Sequence, residues 1–467
     1  MPIRESRPRR ASSVPILMPV ARTDLSGIDF SAALPGLRRV AQDLFGTHPL
    51  PTVVPVRQRL ATRRLNDIEA ATRAAVARVV ASTTRRGPLA VAVGSRGIAN
   101  LDGIVKVVIS SLRSSGFEPF IVPAMGSHGG ATAEGQAAVL SHYGVDEENL
   151  GVPIRATMET RVLGEVDGIP IHWDRNAAEC GQVFLVCRVK PHTDFVGTIE
   201  SGLAKMTAIG LGKQKGAQLM HSGGVPGLRD LMPAAARFIA DQGLLLGGIA
   251  IIENARDETA SIHGVLGSEV GREGEARLLA EAARLIPRLP FTDLDVLIVD
   301  RMGKDISGTG MDTKVLNRLR VLGEPEPGGL RITSVVALDL TEASDGNGIG
   351  FGLADFVPVR LVDKIDLATS YTNILTAGLS GVKRGHLPIV MPDDRFAILA
   401  AIACRGRFEG QPLRLAWIED TLHTETLAIS EDLLEEAGQD LEVLGPPRPL
   451  PINSEGRLEP LGAISAR

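Results

Sequence analysis

The sequence predicts an α/β protein of two domains with mainly parallel sheets and an active site in the cleft between them, on three observations. Short apolar runs alternate with helical stretches along most of the chain, as βαβ units require. At 467 residues the chain exceeds what one hydrophobic core ordinarily serves. Aromatics are 3% of residues against 44% apolar, so alanine and aliphatic side chains must fill the interior, which suits helices layered on sheets. The same scarcity leaves no platform on which single-stranded nucleic acid would stack.

Residues 1–87 read as an N-terminal tail and lead-in. Arg4, Arg7, Arg9 and Arg10 make a basic tip, and Pro15 and Pro19 interrupt the apolar stretch after it. With no small-residue cleavage site, this predicts a disordered tail rather than an export signal. Residues 14–60 are proline-rich and predict irregular chain, followed by a helix from about Asn66 to Ser82. The first α/β domain, 88–286, opens with a strand at Leu89 to Gly94 and a helix from Leu101 that stops at Gly116. PFIVPAMG predicts a second strand and Ala131 to Gly144 a second helix. Val183 to Val189 is a third strand, running into the loop KPHTDFVG and a glycine-rich region that reads as loop. Residues 228–241 predict a helix, LLLGGIAIIEN a strand, and Glu273 to Leu285 a helix ending at the boundary IPRLP. The second α/β domain, 287–445, begins with LDVLIVD, continues through ITSVVALDL and SDGNGIGFG, and contains the helical RFAILAAIACRG. Its prolines keep the tail, 446–467, extended, and it is expected to pack back on the first domain.

The net charge of −5 is spread without long runs, so no nucleic acid or membrane partner is expected. No stretch is apolar enough to span a bilayer. Cys180, Cys187 and Cys404 are odd in number and lack paired spacing, which argues against a disulfide framework and for the cytoplasm. Cys187 and Cys404 lie in apolar runs and read as core residues.

Two glycine-rich segments imitate nucleotide motifs and fail. GLGKQKGA has Gln214 where a Walker A loop needs a hydroxyl for magnesium, and SDGNGIGFG never satisfies GxGxxG. The sharper signal is His128 in AMGSHGGAT, His192 in VKPHTDFVG, Lys205 in ESGLAKM and His221 in QLMHSGG, all beyond first-domain strands. Such strand ends face the ligand crevice of α/β sheets. His142 and His172 lack that placement and read as structural, while His48, His263, His386 and His423 stay unassigned.

In order and context these residues resemble the lactate racemase family, whose members carry a nickel-pincer nucleotide. GSHG places His128, and the dipeptide Pro191–His192 places His192, at the family's two catalytic histidines. SGLAK places Lys205 at the lysine joined covalently to the cofactor. His221, sixteen residues further on, matches the nickel-binding histidine. The resemblance runs from about Leu89 through the second domain. It departs where the segment from His192 to Lys205 is longer than in the lactate enzyme. It departs again at Val93, which stands where that enzyme has an aspartate ahead of its arginine, here Arg96.

The resemblance implies an isomerase, a 2-hydroxy acid racemase or epimerase, acting by reversible hydride transfer with His128 and His192 as acid and base. Nickel accepts imidazole readily, and a planar tridentate ligand leaves one in-plane position for His221. Arg96 is expected to bind the cofactor or an anion, and Lys304 and Asp305 to reach substrate from the second domain. Cofactor-synthesis proteins would be partners. Two other readings stay open at this point. One is a zinc hydrolase with His128, His192 and His221 as ligands and Glu200 as general base. The other is a non-catalytic, two-lobed anion-binding protein.

Overall fold

The computed structural model describes residues 30–94, 97–408, 410–437 and 441–465. The chain has an α/β fold with mainly parallel sheets. Its strands, in order, are β1 (Thr52–Gln58), β2 (Gly87–Val93), β3 (Phe117–Pro123), β4 (Thr160–Val166), β5 (Ile169–Asp174), β6 (Val183–Arg188), β7 (Leu245–Glu253), β8 (Thr259–Leu266), β9 (Asp293–Val299), β10 (Arg331–Ala337), β11 (Phe356–Pro358), β12 (Ile389–Met391), β13 (Leu415–Ile418), β14 (Thr426–Ile429), β15 (Leu441–Val443) and β16 (Arg448–Pro449).

The first sheet has the order β3-β2-β6-β7-β8, parallel except for the last strand. The second runs β12-β11-β10-β9-β13-β14-β1-β15, parallel as far as β13 and antiparallel beyond it. Both are sandwiched between helices, and the sequence shows why. Along β2, Leu89, Val91 and Val93 enter one core while Ala90 and Ala92 enter another. Along β9, Leu297 and Val299 face one core, Val296 and Ile298 the opposite one. Strands apolar on both faces cannot leave either face to water. Each fully buried aliphatic side chain is worth about 1.5–3 kcal/mol. The helix Leu101–Ser114 delivers Leu101, Ile104, Val105, Val108 and Leu112 to the first sheet, the 3.6-residue spacing that identified it.

The lead-in is not irregular throughout. Residues Leu34–Phe45 form a helix, and β1 lies inside the second sheet, paired with β14 on one side and with β15 and β16 on the other. Pro55 concealed this strand, because proline cannot donate to a ladder. Its carbonyl takes the Leu444 N–H on the β15 side, between the stretches that pair β16 and β15, so its missing N–H falls in a gap in the pairing. The C-terminal tail also departs from expectation. Its described residues Leu450, Leu458 and Leu461 enter the second-sheet core beside Trp417, Phe396 and Val296. The cause is local pairing, since β16 hydrogen-bonds β1 and buried Asp394 takes the Leu458 N–H.

Cys187 is buried as expected, whereas Cys404 is exposed at the C-terminal end of the helix Asp394–Ala403. No described helix is long and apolar enough to cross a membrane.

Candidate functional site

In a doubly wound sheet the ligand crevice opens where the strand order reverses, at the carboxyl ends of the strands. The first sheet reverses between β2 and β6, since β3 is added on one side of β2 and β6 and β7 on the other. The chain leaving β6 at that point is the loop with His192.

Side chains anchor this loop at His192, Thr193, Asp194, Phe195 and Gly197. Buried Glu200 accepts the backbone N–H groups of His192 at 2.5 Å and of Gly197 at 3.0 Å. The His192 ring stacks on Phe195 with centroids 4.7 Å apart. Its Nδ1 accepts the Asp194 backbone N–H at 3.1 Å, and its Nε2 lies 2.7 Å from Lys205 Nζ. Three residues that follow β9 in the chain complete the hold. Arg384 Nη1 donates to Asp194 Oδ1 at 2.6 Å and Nη2 to the Thr193 carbonyl at 2.9 Å. Thr313 donates to that same carbonyl at 2.7 Å, and Lys314 to the Phe195 carbonyl at 2.9 Å.

The loop's two carboxylates titrate in opposite directions. Burial pushes Glu200 up, against Lys314 and the two backbone donors. For Asp194 burial acts the same way, but His192, Arg384 and Lys205 outweigh it and hold the carboxyl well below the usual range. Asp194 is therefore a fixed negative charge beside His192 and Lys205.

Lys205 and His221 are not on loops. Lys205 is half-buried in a helical segment spanning Leu203–Lys205 and the π-turn Met206–Gly210, and His221 is in the last turn of the helix Lys213–Ser222. The carboxylate of Glu275 caps the first segment by accepting Ala204 N–H at 3.0 Å. A straight helix would set residues sixteen apart at about 24 Å. The helix is instead broken at Lys213, which adopts φ +53°, and each of the two residues lies eight positions from that pivot. The bend is tight enough that a Cβ on Gly216 would lie 3.4 Å from the Ala208 carbonyl. His221 comes within electrostatic reach of the site: its pKa is lowered by desolvation first and by the Lys205 charge second, with Asp194 opposing. The ring keeps solvent access although protein surrounds most of it.

Lys213 is fully buried with Asp174, 3.0 Å away, and also donates to the Pro123 carbonyl and Gln136. Gln136 in turn donates to the carbonyls of Gly126 at 2.9 Å and His128 at 3.3 Å. One buried network thus ties the pivot to the His128 loop, whose Gly126 N–H also bonds the Gly210 carbonyl. That loop needs glycine at 135, where a Cβ would lie 1.9 Å from the Gly129 carbonyl. His128 is exposed past the end of β3.

Arg96 lies outside the described residues. Lys304 and Asp305 follow β9, where the second sheet reverses its order. Lys304 Nζ donates to the Gly308 carbonyl at 2.9 Å, and Asp305 Oδ1 accepts from the Thr341 hydroxyl at 2.5 Å. The second-sheet residues bonded to the His192 loop are Thr313, Lys314 and Arg384, which sequence reasoning missed. MDTKVLN and VKRGH carry no signal for such a role, whereas Asp194, two residues past His192, was visible in the motif.

Around the loop that leaves β6 the arrangement offers an amine, two imidazoles, a fixed carboxylate, the buried Arg384 and the half-buried Lys314. That set suits proton transfer and covalent attachment. No family model and no curated protein matches the chain. Among solved structures it is similar to a crystal structure of a Thermotoga maritima protein, a Northeast Structural Genomics Consortium target. The identity is 14% and the TM-score 0.39, over 60% of this chain and 72% of that one. At that level the likeness carries no argument about function.

Proposed function

We propose that the protein is a cytoplasmic racemase or epimerase of 2-hydroxy acids working with a nickel-pincer nucleotide attached to Lys205. The observation that carries this reading is the 2.7 Å contact between Lys205 and His192, with His221, beyond the helix break at Lys213, within electrostatic reach of Lys205. The donor set fits the group. Lys205 supplies an amine for the covalent link, and desolvation, the largest influence on the ring, favours the neutral imidazole that a metal requires of His221. When bound, the group would supply a two-electron acceptor beside the substrate carbon.

The chain's own residues handle protons and orientation. His192 presents Nε2 toward Lys205, and His128, from the end of β3 on the far side of β2, is the partner base. While the Asp194 N–H occupies Nδ1, the Nε2–H of His192 can hydrogen-bond a substrate oxygen but not take its proton. The reading therefore requires that contact to open when His192 takes its turn as base. Arg96, two residues past Gly94 in sequence, is the proposed anchor for the substrate carboxylate, with Lys304 and Asp305 as further contacts from the second-sheet side.

The hydrolase reading is less well supported, because it needs the ligand atoms of His128, His192 and His221 to converge. Among the described residues, the triad whose atoms lie within 4.8 Å of one another is Glu419, Asp420 and His423. Arg301 already pairs with its two carboxylates.

The test uses cofactor-loaded protein and a panel of enantiopure 2-hydroxy acids, followed by chiral analysis. His128→Ala and His192→Ala should each slow interconversion on the order of a hundredfold or more, the loss expected for a general base, with nickel retained. Full activity in either variant removes that histidine from the mechanism, and loss of nickel in both favours ligation and the hydrolase.

A further inference from the structure

A backbone N–H can only donate, so the nitrogen of His192 that accepts from Asp194, Nδ1, carries a lone pair and the ring proton sits on Nε2. Nε2 is 2.7 Å from Lys205 Nζ. If the lysine donated to Nε2, both ring nitrogens would be acceptors, which demands an imidazolate. If an ammonium faced Nε2–H, two donors would oppose each other. The arrangement that satisfies both contacts is Nε2–H donating to the lone pair of an uncharged amine.

The peptide N–H that imposes this tautomer does not hold itself in place. Arg384, 2% exposed, grips the Asp194 carboxylate and the Thr193 carbonyl while its Nε donates to the Leu319 carbonyl at 2.8 Å. Thr313 takes the other side of the Thr193 carbonyl. We infer that Asp194 and Arg384 are positioning residues that, in the cofactor-free protein, hold His192 as the Nε2–H tautomer and thereby present Lys205 as an uncharged amine that reacts with an activated carboxyl or thiocarboxyl donor. In that reaction the Nζ–carbon bond forms and the bond to the leaving group breaks. The leaving group keeps its electron pair, and the amine's proton passes to solvent. The inference rests on the reading above only in saying what the amine is for. It makes the second-sheet segment around Arg384 necessary for loading the lysine, though Arg384 touches neither the lysine nor His192 in any described bond.

The experiment treats cofactor-free full-length protein with a limiting dose of the N-hydroxysuccinimide ester of acetic acid at neutral pH. Peptide mass spectrometry follows each lysine, with exposed Lys215 as internal reference. Because an ordinary lysine is almost wholly protonated at neutral pH, Lys205 should acetylate about tenfold faster than Lys215 or more. Arg384→Gln should remove that advantage without altering Lys215, and Arg384→Lys should restore part of it. Nitrogen-15 spectra of the His192 ring should show Nε2–H in the wild type and a tautomer mixture in Arg384→Gln. Should Arg384→Gln fail to fold, Thr313→Val removes one donor to the Thr193 carbonyl and should give the same trend, weaker. A wild-type Lys205 no faster than Lys215, or a His192 ring protonated at Nδ1, overturns the inference. A reactive Lys205 in protein that never takes up nickel would sink the racemase reading and support this inference. An inert Lys205 in protein that carries the nucleotide would do the reverse.

Discussion

A carboxylate removed from water resists ionisation unless cations or several donors surround it, and Asp300, at the carboxyl end of β9, has few. It accepts Trp417 Nε1 at 2.5 Å and the Leu461 N–H at 2.9 Å, but burial dominates, Glu419 and Asp394 add to it, and the pKa is pushed up to about 7. The ordinary aspartate value is about 3.9, so the folded state binds this proton more tightly than the unfolded chain does. Stability from this group is then fully present below about pH 4 and declines as pH rises through about 7, by on the order of 4 kcal/mol in all. Asp300→Asn keeps an acceptor and removes the charge. Its melting temperature should gain on the wild type between about pH 5 and pH 8, read by thermal denaturation of both proteins across that range. Parallel curves would show that Asp300 titrates normally.

Among elements, the broken helix from Leu203 to Ser222 matters most, because past the break at Lys213 His221 lies within electrostatic reach of Lys205. Its stability rests on an ion pair in which both side chains are fully buried. Removing one partner of such a pair strands the other charge, at about 3–5 kcal/mol, whereas replacing both by apolar groups is often neutral. Lys213→Met should therefore lower the urea midpoint strongly, and Lys213→Met with Asp174→Leu should recover much of it. Equal loss in single and double variants would mean that Lys213 acts through its backbone conformation alone. Sequence periodicity showed none of this. The helix Glu273–Leu285 and the strands β2, β6 and β9 were legible because each presents an unbroken apolar pattern. The glycines at 210, 212 and 216 read as loop, yet they serve close packing within two helical segments and the turn between them. The hairpin of β4 and β5 did carry a legible signal, the Asp167–Gly168 turn with both residues at positive φ, but weak alternation on its strands hid it. Proline hid β1.

At the scale of the whole molecule, each sheet recruits chain from far away in sequence. The second sheet takes in β1, and its own segments at Thr313, Lys314 and Arg384 bind the His192 loop that leaves the first sheet. Motif reading located His192, Lys205 and His221 because their identity is local. It could not locate Arg384, 190 positions from its partner Asp194, since only folding makes them neighbours. Lys304 and Asp305 were located by their place after β9, where Lys304 Nζ donates to the Gly308 carbonyl and Asp305 accepts from the Thr341 hydroxyl. The account as a whole stands on Lys205 being the attachment point of a nickel-bearing nucleotide. The most direct test is intact-mass and nickel analysis of protein produced together with the cofactor-synthesis proteins, for the wild type, Lys205→Ala and His221→Ala. The wild type should carry a nucleotide-sized adduct and nickel, Lys205→Ala neither, and His221→Ala the adduct with its nickel lost. An adduct that persists in Lys205→Ala, or a wild type that carries none under those conditions, would contradict the account.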